Sequence, residues 1–270
     1  MQINNNKKLN KKIYFLYIFL YIFLAMILVY KNSGETMNQL IKKIKRIKKE
    51  EKIAYAGRLD PMARGWVPIL IGPECASPKD FFSKNKSYQV KVIIGLQTDS
   101  DDPLGIIQKQ ELFDGNISSF LEKYQDSIIY DNIITPKIIE QKYHYFSTKN
   151  LNHRRQYNKN KNNIININNI NNNSHTVIIN KCSILSHGSL NYKEWTDKII
   201  FDIKSIDSTK NFRQDMIINQ WLSINHLNNL SYIELELDVS SGFFVRQFIR
   251  DISDKINYPL MCFDIHRIKI

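Results

Sequence analysis

Two kinds of spacing in one chain predict an α+β protein with several antiparallel strands. Residues 86–94 (KSYQVKVII) place Tyr88, Val90, Val92 and Ile94 at every second position, and residues 232–239 do the same with Ile233, Leu235, Leu237 and Val239. Residues 37–47 instead carry Met37, Leu40, Ile41, Ile44 and Ile47 at i, i+3, i+4, i+7 and i+10, the apolar stripe of a helix. Phe244, Val245, Phe248, Ile249 and Ile252 repeat that helical spacing late in the chain.

Composition sets the scale. With 270 residues and 43% hydrophobic content, the chain can bury the core of one large domain or two small ones. Its net charge of +12 favours a polyanionic partner, either nucleic acid or an anionic membrane surface. Cys75, Cys182 and Cys262 lie far apart and show no metal-ligand or disulfide spacing, so neither a zinc site nor a disulfide framework is expected. They read as small apolar fillers in a reducing compartment.

At the N-terminus, Lys7, Lys8, Lys11 and Lys12 precede an apolar and aromatic run over residues 13–30. Such a run reaches the lower limit for a membrane-spanning helix, about 17 residues, and a positive segment before an apolar one also describes a targeting leader. The last part, residues 26–30, reads equally as a strand. The expected arrangement is a leader over residues 1–25, with a permanent anchor as the alternative, fused to the first strand of a folded domain over 26–270.

Next comes the helix that Thr36 is placed to cap. Its polar side holds Lys42, Lys43, Lys45, Arg46, Lys48 and Lys49, suited to phosphates or simply solvated. After the strand at 86–94, residues 98–105 (TDSDDPLG) form an acidic turn without the spacing of an EF-hand, read as a turn or an RNA-excluding loop. Residues 112–130 are helical, with Phe113, Ile117, Phe120, Leu121 and Tyr124 as the buried side. Residues 141–157 (QKYHYFSTKNLNHRRQY) combine tyrosines with Lys149, Arg154 and Arg155, a surface for bases and phosphates. Residues 158–174 are a low-complexity insert dominated by asparagine, which cannot build a core. Residues 177–185 read as a strand; 186–230 shows no clear periodicity and reads as a second insertion that Trp195 and Trp221 tie to the core.

The stretch with most chemistry in it is 54–72 (AYAGRLDPMARGWVPILIG). It sets Asp60 between the turn formers Gly57 and Pro61, ahead of an apolar strand. A carboxylate held on a tight turn beside buried packing suits covalent catalysis; equally, turn aspartates satisfy backbone amides. Arg246, just inside the late helix, is placed to meet a carboxylate and keep it ionised, or to lie on the helix surface.

In this order the blocks resemble the TruB family of tRNA pseudouridine synthases. Residues 26–36 (MILVYKNSGET) are similar to that family's first strand and K-P-x-G-x-T turn. Residues 57–72 resemble its G-T-L-D-P-x-A-x-G-x-x-P-x-x-x-G motif, and 86–105 its K-x-Y and G-x-x-T-D-[TS]-x-D-x-x-G segment. Residues 141–157 resemble Q-x-P-x-Y-S-A-x-K with G-x-R-A-Y, and 240–251 (SSGFFVRQFIRD) resemble S-x-G-x-Y-[IV]-R-x-x-x-x-D. The chain departs from the pattern at Tyr55, Ala56, Arg58, Arg64, Lys142 and Tyr143, and the form G-R-L-D is typical of the related RsuA and RluA families. Beyond Ile270 no PUA-type RNA-binding domain is expected.

The resemblance implies a pseudouridine synthase fold, a mixed and mostly antiparallel central sheet flanked by helices. It implies an isomerase that converts the T-loop uridine of tRNA to pseudouridine without cofactor or metal. Asp60 would be the nucleophile or the stabiliser of the ribose intermediate. Tyr88 would stack on the flipped base and act in proton removal, and Arg246 would hold Asp60 as an anion. Leu59 and Val245 would wall the pocket. Arg58, Lys149, Arg154, Arg155, Lys42, Lys45 and Arg46 would bind the substrate. The tRNA T-arm is the expected partner of a monomer, in an organelle reached through the leader, with membrane contact only if the leader is kept. The alternative is a catalytically silent, membrane-tethered RNA-binding protein of the same fold.

Overall fold

The computed structural model describes residues 26–48, 52–76, 85–111, 113, 115–128, 136–144, 146, 150–151, 154–155, 174–209, 211–224 and 229–270. The expected leader, the asparagine-rich run up to residue 173 and Lys149 lie outside them. No helix among the described residues is long and apolar enough to cross a membrane.

One eight-stranded sheet organises the protein. Strands β1 (Met26–Lys31), β2 (Ile53–Tyr55) and β3 (Arg64–Ile71) form one end, with β1 and β2 both paired antiparallel to β3. The middle is built by β4 (Lys86–Ile94), β11 (Asn229–Val239) and β12 (Leu260–Lys269); β10 (Ser174–Asn191) and β7 (Lys137–Lys142) close the far end. The order is β1-β3-β12-β4-β11-β10-β7, antiparallel except where β12 runs parallel to β3. Two small ribbons stand apart, β5 (Leu96–Thr98) with β6 (Ile107–Gln110), and β8 (Asn150–Leu151) with β9 (Arg154–Arg155). This is the α+β class expected from the spacing.

Helices cover both faces because successive strand residues point to opposite sides. Val90, Val92 and Ile94 join the larger core with α1 (Met37–Ile47), α2 (Ile117–Ile128) and α5 (Val245–Ile256), whereas Ile93 joins the second core. Thr36 caps α1 through a capping box: its hydroxyl accepts from the Gln39 amide, and its own amide donates to the Gln39 side chain.

The described part of residues 186–230 is built into the fold. It finishes β10, forms α3 (Tyr192–Ser205) and α4 (Gln214–Ser223), and enters β11. The periodicity is present in Trp195, Ile199 and Ile203, a narrow i, i+4, i+8 stripe between charged residues, and all three are buried. With Ile217 and Trp221 they make the second core. Trp221 is fully buried and donates its indole N–H to the carbonyl of Pro103, which joins this module to the acidic turn.

Candidate active site

The turn between β2 and β3 presents Asp60. The amide of Ala63 donates to the Asp60 carbonyl at 3.1 Å, closing a turn whose second residue is Pro61, where a fixed φ suits it. Beneath it lies Lys31, fully buried at the end of β1. Its ammonium donates to the carbonyls of Asn32, Pro61 and Ala63 at 3.0, 3.1 and 2.6 Å. Burial pulls the Lys31 pKa down to about 7, against the opposing pull of Glu35 and Asp60. The amide of Gly34 also donates to Pro61, so the loop after β1 grips the Asp60 turn.

Arg246, in the first turn of α5, reaches the same place from the other side. Its Nη2 lies 2.8 Å from Asp60 Oδ2, and its Nη1 lies 3.2 Å from Asp102 Oδ2 and donates to the Ser100 carbonyl at 2.9 Å. The Asp60 side chain keeps 35% of its surface, whereas that of Arg246 keeps 7%. Burial pushes the Asp60 pKa up, but the Arg246 guanidinium, with Arg58 and Lys31, outweighs it and holds the carboxyl below its usual value. The group is therefore an anion at neutral pH, aimed into an opening.

That opening is a pocket lined by Arg58, Leu59, Asp60, Tyr88, Val245 and Arg246, with His144, Phe243 and Phe244 completing its wall. Tyr88 comes from β4, where register sets it between Leu237 of β11 and Arg267 of β12. Burial raises the Tyr88 pKa, and the adjoining Arg267 works against that rise. The phenol thus stays protonated at neutral pH.

Of the two readings of the acidic segment the structure shows the turn, closed by the Asp101 amide on the Thr98 carbonyl, and its aspartates face inward. Asp101 and Asp102 are buried because cations meet them there. Asp102 sits on Arg246, while Asp101 accepts from Arg250 at 2.6 Å and pairs with His144 at 2.9 Å. Burial still lifts Asp101 to about 7 and Asp102 to about 6, with Arg250 and Arg246 respectively pulling them down. For His144, burial first and then the two arginines hold the pKa well below the usual histidine value, leaving a neutral ring.

The structure therefore brings Asp60, Tyr88, Arg246, Leu59, Val245 and Arg58 together. Lys42, Lys45 and Arg46 stand exposed on α1 and do not line the pocket; Lys42 lies 3.7 Å from Asp207, and neighbouring Lys43 pairs with Glu35. Arg154 and Arg155 form β9, but their side chains lie outside the described part. Arg64 turns away from the pocket: its guanidinium grips Asp264 at 2.7 and 3.0 Å and reaches Tyr30.

Three contributors were not singled out from sequence. Arg267 is fully buried and donates to the carbonyls of Trp66 and Gly57, both at 2.9 Å, so one side chain holds the loop before Asp60 and adjoins Tyr88. Its signal is an arginine sharing the inward face of a terminal strand with Ile265. Gln141 brackets the start of α5, accepting from the Phe244 amide at 2.8 Å and donating to its carbonyl at 3.0 Å. Lys31 stands in the first family-like turn, whose lysine carries the only visible signal. Among the described residues no group of three or more acidic, histidine or cysteine side chains is placed to hold a metal.

The pocket combines an anionic carboxylate, a buried counter-ion and an aromatic side chain. The model of the TruB family pseudouridylate synthase N-terminal domain matches residues 45–204, more than half of the chain. A tRNA pseudouridine synthase B of Histophilus somni is 33% identical over 89 residues, 33% of this chain and 29% of that protein. Its counterpart in Mesoplasma florum is 40% identical over 90 residues, 33% of this chain and 32% of that protein. The matched segment thus spans about a third of each relative's length. Among solved structures, an H/ACA RNP bound to a substrate RNA containing 2′-deoxyuridine aligns with a TM-score of 0.49 at 12% identity, over 93% of this chain and 48% of that one.

Proposed function

Because the chain belongs to the TruB family of pseudouridylate synthases, we propose that it isomerises the T-loop uridine of tRNA to pseudouridine. The observation that carries this reading is the 2.8 Å contact between Arg246 and Asp60 at the mouth of a pocket floored by Tyr88. The reaction breaks the bond between N1 and the ribose, turns the base, and joins C5 to the same ribose carbon. A proton leaves C5 and another is gained at N1.

Asp60 acts on the sugar, as nucleophile or as the anion that stabilises its positive charge. Arg246 keeps it ionised, and Asp102 fixes the other side of that guanidinium. Tyr88 offers its ring to the flipped base in place of lost stacking. Arg58, exposed at the rim, meets the phosphate beside the target. The protein works as a monomer on the T-arm, in an organelle reached through its N-terminal segment.

The test is a T-arm transcript incubated with the full chain and then mapped for pseudouridine at every uridine. Modification at the T-loop uridine is expected. Modification elsewhere only would refute the proposed site on the RNA, and binding without any modification would favour a silent RNA-binding protein.

A further inference from the structure

The pocket mouth carries an aromatic surface that the chemistry at Asp60 does not use. Tyr143 follows β7, His175 lies next to the start of β10, and Phe244 precedes α5. The Tyr143 and His175 rings are parallel within 2°, with centroids 4.4 Å apart. Phe244 meets both edge-on, at 5.9 Å from Tyr143 and 5.5 Å from His175. This is the arrangement that ring quadrupoles favour.

The rings are fixed from behind. His175 sits opposite Gln141 in the β7–β10 pairing, and its Nε2–H donates to the Gly242 carbonyl at 2.9 Å. Gln141, fully buried, holds both backbone groups of Phe244. Yet all three rings remain partly open to solvent, unlike the aromatic side chains of the second core such as Trp221. Phe244 also lines the Asp60 pocket, so the surface begins where the pocket ends.

A base drawn into that pocket leaves its neighbour in the strand without a stacking partner. Rigid, partly exposed rings at the pocket lip, on a chain of net charge +12, suit that neighbour. From this continuity we infer that Tyr143, His175 and Phe244 form a stacking platform for the unpaired nucleobase next to the uridine in the Asp60 pocket. The inference rests on the RNA-isomerase reading. Ring stacking tolerates any base, so the platform would add affinity and register without reading sequence.

The experiment measures binding, so that it stands apart from catalysis. T-arm hairpins carrying a single abasic nucleotide at each loop position beside the target are titrated against the full chain, His175→Ala and His175→Phe. At one flanking position, removal of the base should weaken binding to the wild type about tenfold. His175→Ala should weaken binding of the intact hairpin by a similar factor and be indifferent to the abasic change at that position. His175→Phe, which keeps a ring, should restore most of the affinity; thermal melting of each variant separates folding from binding. Additive losses at every loop position, or failure of the wild-type chain to bind the hairpin, would overturn the platform. A coupled loss in a chain that makes no pseudouridine would keep the platform and reject the isomerase instead.

Discussion

At the level of single residues, the site is a carboxylate paired with Arg246 on a loop held through its backbone carbonyls. Lys31 and Arg267, both fully buried, spend their donors on the loops around Asp60. Gly65 allows Arg267 to approach: a Cβ there would sit 2.2 Å from the Arg267 carbonyl oxygen, and its φ of +132° is open to glycine. Arg267→Met removes the donors to Gly57 and Trp66 while keeping an unbranched apolar stem. The loop before Asp60 should then shift, lowering kcat by up to about 100-fold with little change in RNA affinity. Single-turnover rates beside binding titrations check this, and an unchanged kcat would show that Arg267 only fills space. Asp60, Tyr88 and Arg246 were legible in sequence because each sits in its own local motif. Arg267 and Gln141 were not, because their roles lie in contacts with carbonyls 210 and 103 residues away.

Among the elements, the α3–α4 module braces a site that it never enters. Trp221 of α4 donates to Pro103, and Arg213 ahead of that helix pairs with Asp99 at 2.6 Å. Both partners belong to the turn that presents Asp101 and Asp102 to the arginines of α5. Trp221→Ala opens a cavity in the second core and frees the Pro103 carbonyl. A loss of about 3–5 kcal/mol is expected, read from urea unfolding; a loss below about 1 kcal/mol would mean that the second core is not continuous with the fold. Strands β4 and β11 were readable because one face of each is apolar throughout. The module was hidden for the opposite reason. Outward residues of β10 alternate polar with partly buried groups, and α3 buries polar Thr196 and Asp202 beside its apolar stripe. The parallel join of β12 to β3 has no sequence signal at all, since pairing partners are set by the sheet as a whole.

For the whole molecule, a charged interior makes stability depend on pH. Asp101 and Asp102 have pKa values of about 7 and 6 when folded, against about 3.9 when unfolded. Between these limits the folded chain holds more protons, so their contribution to stability falls as pH rises from about 4 to about 7 and is flat beyond. Asp101→Asn removes one such group, and urea midpoints at pH 5 and pH 7.5 should show a smaller decline in the variant; equal declines would contradict the buried assignment. The same interior holds Arg246 against Asp60, the ion pair on which the proposed function rests. The most direct test of that claim is single-turnover pseudouridine formation on a T-arm transcript by the full wild-type chain and by Asp60→Ala, with RNA affinity measured in parallel. Activity should be present in the wild type and lost in the variant while both still bind RNA. Equal rates in the two proteins would contradict the account.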